Sequence, residues 1–284
     1  MTAHPLQEIP YVTINATLDR LVLSTPQGPA MADFYARAFA LAAQPDGPHW
    51  LCEGPQRHLH LRPGAKNRLL ESHFRLDDPA ALGALQQRIR ATGTEVHVDL
   101  DRADGAFWVA DPDGRRVFFS IGPQMQAAAQ PGLQARLQHY ALRSPAPMTL
   151  AQFYIHALGF VPSDWVRDAQ GSVTAVFLRT DALHHALAIF RAPTEGFDHM
   201  SCETRDWNAL RDWADHMASQ GILLDWGVGR HGPGNDTFFM VKDPDGNWAE
   251  ISAELEHCGP ERPAGEWPHA PQTLNRWGHA PMRS

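Results

Sequence analysis

The sequence predicts an α+β protein built from four strand-helix-strand-strand-strand modules, two per half, each half forming an open, cupped, mixed β-sheet flanked by helices. Three observations predict it. The tetrapeptide Asp-Pro-Asp-Gly occurs at Asp111–Gly114 and again at Asp243–Gly246. Each copy sits between two short aromatic-bearing runs, Ala106–Ala110 and Arg116–Ser120 in the first case, Thr237–Val241 and Asn247–Ser252 in the second. Proline presets one dihedral of such a turn and glycine supplies the positive one, so both read as hairpins. Upstream of each hairpin the elements also come in the same order, and a unit repeated in sequence is expected to pair in space.

Taken in chain order, Leu18–Ser24 reads as a strand and Pro29–Ala40 as a helix; Leu70–Leu76 is a strand, Pro79–Ala91 a helix and Glu95–Leu100 a strand before the first hairpin. The second half repeats this with the strand Leu137–Arg143, the helix Met148–Leu158, the strand Gly196–Thr204, the helix Asp206–Ser219 and the strand Ile222–Trp226. Residues 123–133 form the expected connection, giving an N-terminal domain over 1–125 and a C-terminal one over 134–284. From about Cys258 the chain turns Pro-rich, and 258–284 is expected to be an irregular strap over the second domain.

Composition narrows the function. At 284 residues the chain exceeds one typical domain of roughly 100–200 residues. No run approaches the ~20 apolar residues that span a bilayer, so no membrane association is expected. The stretch from Met1 to Pro10 lacks the basic leader and apolar centre of a secretory signal. Three separated cysteines, Cys52, Cys202 and Cys258, fit neither a disulfide framework nor a Cys-based zinc site, which points to a reducing cytoplasm. A formal charge of -8 without a Lys/Arg cluster excludes a nucleic-acid partner.

Aligning the halves on their turns locates the chemistry. Glu250 lies four residues after Gly246, and the corresponding residue after Gly114 is Phe118; His199 lies seven before Asp206, and Glu71 seven before Asp78. His139 lies six before Pro145, and Arg20 six before Pro26. Arginine and phenylalanine do not ligate metals, so only the second half can hold one through these positions. Two imidazoles and one carboxylate on one face suit non-haem Fe(II), with positions left open; Zn, Mn and Ni suit the same ligand types.

These residues carry a resemblance. His139 ahead of a helix ending Ala157-Leu158-Gly159-Phe160, then His184-His185-Ala-Leu-Ala, His199, Gly229-Arg230-His231-Gly-Pro-Gly-Asn, and Asp243-Pro244-Asp245-Gly246 with Glu250 resemble the type I extradiol ring-cleavage dioxygenases of the vicinal oxygen chelate superfamily, over nearly the whole chain. The resemblance implies βαβββ modules, a metal-free first domain, and Fe(II), with Mn(II) second, at His139, His199 and Glu250. It implies a small aromatic diol and dioxygen as substrates, His185 as proton carrier, His231 as a second pocket histidine, and a homo-oligomer. His184 precedes His185 directly, and adjacent strand residues face opposite sides, so one of the pair is expected in the pocket. Arg230 is expected to form a structural ion pair.

One position departs from the family. Ten residues before the ligand glutamate the family usually has a tyrosine that donates to the substrate oxygen; here it is Met240, which cannot donate. Met240 and Phe177 are the expected substrate contacts, and Phe153, Trp165, Trp226 and Phe238 are further candidates for an aromatic wall. Two other functions share the fold: a non-redox divalent-metal isomerase or lyase of the glyoxalase kind, and a binding or resistance protein without turnover.

Overall fold

The computed structural model describes residues 12–99, 104–122 and 132–282. The first half contains β1 (Thr17–Thr25), α1 (Gly28–Phe39), β2 (Ala42–Asp46), β3 (His49–Gly54), β4 (Arg57–Pro63), β5 (Arg68–Leu76), α2 (Pro79–Ala91), β6 (His97–Val98), β7 (Phe107–Ala110) and β8 (Arg116–Ile121). The second contains β9 (Arg136–Ser144), α3 (Pro147–His156), β10 (Val161–Arg167), β11 (Val173–Arg179), β12 (Leu187–Arg191), β13 (Gly196–Thr204), α4 (Trp207–Ser219), β14 (Trp226–Arg230), β15 (Thr237–Lys242) and β16 (Trp248–Ala253), then β17 (Gly265–Pro268) and the single turn α5 (Pro271–Leu274). The sheets run β2-β3-β4-β1-β5-β8-β7-β6 and β14-β15-β16-β13-β9-β12-β11-β10-β17. In each, two modules meet through their first strands, β1 against β5 and β9 against β13, both antiparallel, and each first strand lies parallel to the last strand of its own module.

Local chemistry accounts for the elements. Pro29, Pro79 and Pro147 stand in the first turns of their helices, where a missing N–H costs nothing. The Asp78 and Asp206 side chains cap α2 and α4 by accepting from Ala80 N and Ala209 N. The repeated turns are Asx-stabilised: Asp111 Oδ1 accepts from Asp113 N and Arg115 N, and Asp243 Oδ1 from Asn247 N. The glycines closing them have φ of 83° and 87°. Their other carboxylate oxygens join the halves reciprocally, because Tyr35 of α1 donates to Asp243 Oδ2 and Tyr154 of α3 donates to Asp111 Oδ2, each at 3.1 Å.

Three expectations are corrected. The strand placed at Ile222–Trp226 begins only at Trp226 and runs to Arg230, because Ile222 N still donates to Met217 O while closing α4, with Gly221 at φ 68°, and Leu223 is 87 % exposed. Its counterpart in the first half shrinks to His97–Val98, with Leu100 outside the described residues. The tail is not wholly irregular, since β17 extends the second sheet by pairing parallel to β10 and α5 follows it. Of the connection at 123–133, only Gly132 and Leu133 are described. No helix among the described residues is long and apolar enough to cross a membrane.

Candidate metal centre

Alternation along β16 sends Ala249, Ile251 and Ala253 into the main core and Trp248, Glu250 and Ser252 to the opposite, concave face. In register on β15, Met240 faces Glu250, with Trp226 of β14 beyond it. His139 on β9 and His199 on β13 reach the same face. His139 Nε2 lies 3.2 Å from His199 Nε2 and 3.6 Å from Glu250 Oε1. All three residues are buried, Glu250 completely. Among the described residues only this trio and His231-Asp236-Glu250 bring three such side chains within ligating distance.

The hydrogen bonds settle which ring nitrogens carry protons. Gln138 donates from Nε2 to His185 O at 2.5 Å, which turns its Oε1 to accept from His139 Nδ1 at 2.5 Å. Asp198 Oδ1 accepts from His199 Nδ1 at 2.7 Å. In its neutral form each imidazole therefore presents a lone pair at Nε2, aimed at the other with no proton between. Glu250 Oε1 adds a buried carboxylate oxygen with no hydrogen-bond partner. Two facing lone pairs and an orphaned anionic oxygen are repulsive as they stand and fit a shared cation. Burial lowers the His139 pKa to about 3, outweighing Glu250, which acts to raise it. Burial acts to raise that of Glu250, but the hydrogen bond from His231 and the neighbouring imidazoles hold it below the ordinary carboxylate value.

Gln138 and Asp198 were not anticipated from the sequence. Residues adjacent on a strand should face opposite sides, yet each lies beside its histidine. The β9–β13 pairing explains this: it is interrupted between Phe197 and His199, and again where Ser201 and Cys202 pair with His139 and Leu137. Asp198 and Gln138 are the extra residues of two β-bulges, a device that re-aims side chains.

A small cavity opens beside the trio, lined by His139, His199, His185, His231, Phe177, Phe190, Ala188, Trp226, Met240, Pro233 and, from the tail, Thr273 and Leu274. His185 and Phe177 sit on one wall, His185 with its ring centroid 4.2 Å from that of His139. Burial depresses the His185 pKa well below 6.5, so its ring is neutral. His231 stacks on Phe238 with centroids 3.7 Å apart, donates from Nδ1 to Leu274 O at 2.5 Å, and approaches Glu250 Oε2 with Nε2 at 3.4 Å. Burial acts to lower its pKa, but Asp236 and Glu250 raise it overall. Met240 and Trp226 line the cavity, whereas Phe153 and Trp165 pack with the main core instead, and Phe238 backs His231. Arg230 pairs with Glu254 at 2.7 Å. The pair His184-His185 lies in the loop before β12, so strand alternation does not govern it; His184 sits behind His185, Nδ1 to Nδ1 at 3.0 Å.

Phe190 and the tail residues were missed because nothing in an apolar strand or a Pro-rich tail marks a cavity wall. Gly232 carries a readable trace of the tail's approach, since a Cβ there would stand 2.8 Å from Thr273 O. Asp236 was also missed. It is fully buried beside His231, both its oxygens lack hydrogen-bond partners, and burial raises its pKa.

The first sheet has a different chemistry at the matching positions. Glu71 is engaged by Arg62, His73 and Arg116, and His73 stacks on Phe118 with centroids 4.3 Å apart. Burial acts to raise the Glu71 pKa, but His73, Arg62 and Arg116 bring it to about 2. A depressed carboxylate contributes stability that is full above its unfolded value of 4.5 and is lost as pH falls through about 2. Glu71→Gln should therefore cost roughly 3 kcal/mol at pH 7 and almost nothing at pH 2, read from urea unfolding at both. An equal cost at both pH values would contradict the ion-pair account.

Residues 136–251 match the family model of the Glyoxalase/Bleomycin resistance protein/Dioxygenase superfamily. The chain is 28% identical to Metapyrocatechase 2 of Cupriavidus necator over 289 residues, covering 92% of this chain and 88% of that protein. In fold it is similar to the Mn(II)-bound glyoxalase from Novosphingobium aromaticivorans, with a TM-score of 0.78 at 24% identity over 94% of this chain and 92% of that one. It is likewise similar to homoprotocatechuate 2,3-dioxygenase from Brevibacterium fuscum, with a TM-score of 0.77 at 21% identity over 97% and 93%. The family match lies in the second half of the chain, and the two sheets share the fold of these solved structures.

Proposed function

We propose that this chain is an Fe(II)-dependent extradiol-type dioxygenase that inserts both atoms of dioxygen into a small, uncharged, catechol-like aromatic. The observation that carries the proposal is the pair of Nε2 lone pairs at one wall of a mostly aromatic and apolar cavity, with the orphaned Glu250 oxygen next to them and set back from the lining. His139, His199 and Glu250 are the proposed ligands. Their donor types favour iron, with manganese second. Bound there, Fe(II) would supply a Lewis acid for the diol oxygens and electrons for dioxygen.

The chain's own residues do the rest. Phe177, Phe190 and Trp226 offer ring faces and edges that hold an aromatic and exclude water. His185, neutral and on the wall, can take a proton from a substrate hydroxyl and return it later. His231, its Nδ1–H tied to Leu274 O, is placed to share a proton with a substrate oxygen. A metal isomerase would need a carboxylate base on the cavity wall; none of the cavity-lining side chains is a carboxylate, since Asp236 and Glu250 lie behind it. The domain division near residues 125–134 belongs to the same proposal, as do a homo-oligomer and a cytoplasmic setting, the last supported by three free, buried thiols.

The deciding experiment loads the protein anaerobically with Fe(II) and records the paramagnetic resonance of its nitric oxide adduct with and without catechol. A high-spin iron-nitrosyl signal reshaped by catechol, together with oxygen uptake on aeration, is expected; no adduct would sink the proposal.

Two predictions follow from the lining. No Lys or Arg contributes to it, and Arg191 in the adjoining cavity is already paired with Asp168 at 2.7 Å. A ring-bound carboxylate would be buried unpaired at a cost of a few kcal/mol, so kcat/KM for catechol should exceed that for a carboxylated catechol by about 100-fold. Equal values would show that the site recognises anions. Met240 supplies no donor where the family usually has tyrosine, and Met240→Tyr should raise kcat on simple catechols about tenfold, the worth of one charge-assisted hydrogen bond. Unchanged or lower turnover would mean that His231 already fills that role.

A further inference from the structure

Behind the cavity wall a buried chain of groups connects His185 to the C-terminal strap. His184 has no exposure; its Nδ1 meets His185 Nδ1 at 3.0 Å, and its Nε2 lies 3.1 Å from Asp164 Oδ2, off the ideal hydrogen-bond line. Asp164, on β10 and equally inaccessible, is otherwise held from the strap. Arg262 Nη1 donates to Oδ1 at 2.9 Å, Gly265 N to Oδ1 at 3.1 Å, and Trp267 Nε1 to Oδ2 at 2.7 Å. The approach is so close that a Cβ on residue 265 would stand 2.5 Å from Oδ1. Among the described residues, the remaining polar neighbour of this carboxylate is His184.

We propose that Asp164 and His184, locked by the strap, are positioning residues that determine which nitrogen of His185 carries its proton. The argument is one of hydrogen-bond polarity. A carboxylate paired with Arg262 is an acceptor only, so the His184 nitrogen beside it, Nε2, carries the hydrogen. In a neutral ring Nδ1 then has the lone pair, and the proton shared between the two Nδ1 atoms belongs to His185. His185 is thereby fixed as the Nδ1–H tautomer, and its Nε2 has the lone pair. Gln138 does the same for His139 from the other side. A histidine held this way can only accept a proton at Nε2, as the first step proposed for a diol substrate requires; the other tautomer could only donate there. The consequence for turnover rests on the dioxygenase reading, but the tautomer does not.

The test is therefore in two parts. Metal-free protein labelled with 15N-histidine, at pH 7.5, reports each ring's tautomer through long-range proton–nitrogen spectra, with His184→Gln and His185→Gln used for assignment. The expected result is Nε2–H for His184 and Nδ1–H for His185. Asp164→Asn can present an N–H to His184 Nε2 and should reverse both rings. A doubly protonated His184, or His185 protonated at Nε2 in the parent protein, overturns the proposal. On catechol with iron bound, Asp164→Asn should lower kcat about 100-fold while KM and iron content hold. His184→Leu should do the same, whereas His184→Gln, whose amide can both donate to Asp164 and accept from His185, should stay within about fivefold. Equal losses for Leu and Gln would assign His184 a packing role instead. Should the parent protein turn over no diol, the nitrogen spectra still decide the tautomer; tautomers as expected with turnover indifferent to Asp164→Asn would overturn the positioning role and leave the dioxygenase reading standing.

Discussion

Glu250→Gln should weaken iron binding and turnover by orders of magnitude while changing the stability of the metal-free protein little. Glutamine fills the same volume, so no cavity opens among Ser252, Met240 and the two histidines. What changes is charge and proton count. The carboxylate has one oxygen near His231 and one with no partner, in a position without solvent, and its cost is offset only by neighbouring imidazoles. The amide can instead turn its N–H toward His139 Nε2, now 3.6 Å from Oε1, and satisfy a lone pair that otherwise faces another. One such bond is worth about 1 kcal/mol and offsets the attraction between carboxylate and imidazoles that the substitution removes, so the melting temperature of the metal-free protein should stay within about 2–4 °C of the parent's. Against a cation the same change removes the only negative ligand. Iron affinity and kcat/KM should fall on the order of 10³-fold, beyond the 10–100-fold typical of residues that merely orient ligands. Calorimetry of the metal-free protein and iron analysis after desalting read the two effects separately. Retained iron would show that the ion is held elsewhere, and a large loss of metal-free stability would mean that Glu250 serves the fold.

The opposition between these two effects is why the trio could be found by comparing the halves of one chain. A buried glutamate between Ala249 and Ile251 has no packing reason to exist, and the same strand of the first half holds Phe118 at the matching position, a residue that cannot ligate. The modules were readable because their punctuation is local: Pro and Asp at helix starts and Asp-Pro-Asp-Gly at hairpins act within a few residues. Features that depend on distant partners were not. Ile222–Trp226 alternates like a strand, but its first residues are spent on closing α4. The strap reads as irregular because β17 is only four residues long and exists through its pairing with β10. The reciprocal tyrosine bonds between the halves are invisible for the same reason, as neither Tyr35 nor Tyr154 differs locally from any helical aromatic. Asp164 and Asp236 carry no local mark either, being acidic residues whose burial follows from tertiary contacts alone.

Asp198→Ala should weaken iron binding about 30-fold, within the range for groups that orient a ligating histidine, and leave the protein folded. The carboxylate does two things for His199 that its sequence position disguises. By accepting from Nδ1 it excludes the tautomer that would put a hydrogen on Nε2, and its charge makes the Nε2 lone pair more basic. Asp198→Asn retains an acceptor oxygen and loses only the charge, so its loss should be several-fold. Gln138→Ala removes a neutral acceptor from His139 and should fall between the two. This ordering separates tautomer control from charge, because the Asn variant isolates the electrostatic part and the Gln138 variant the orienting part. Competition for Fe(II) against a calibrated chelator gives the affinities, with catechol turnover at saturating iron as a check that the site is otherwise intact. If Asp198→Ala binds iron as tightly as the parent, the bulge that brings Asp198 beside His199 is a feature of strand pairing alone, and His199 owes its orientation to packing against Phe190, with ring centroids 6.3 Å apart. If all three variants lose iron equally, the two bulges act as one rigid unit, and the ligands are set by the backbone of β9 and β13.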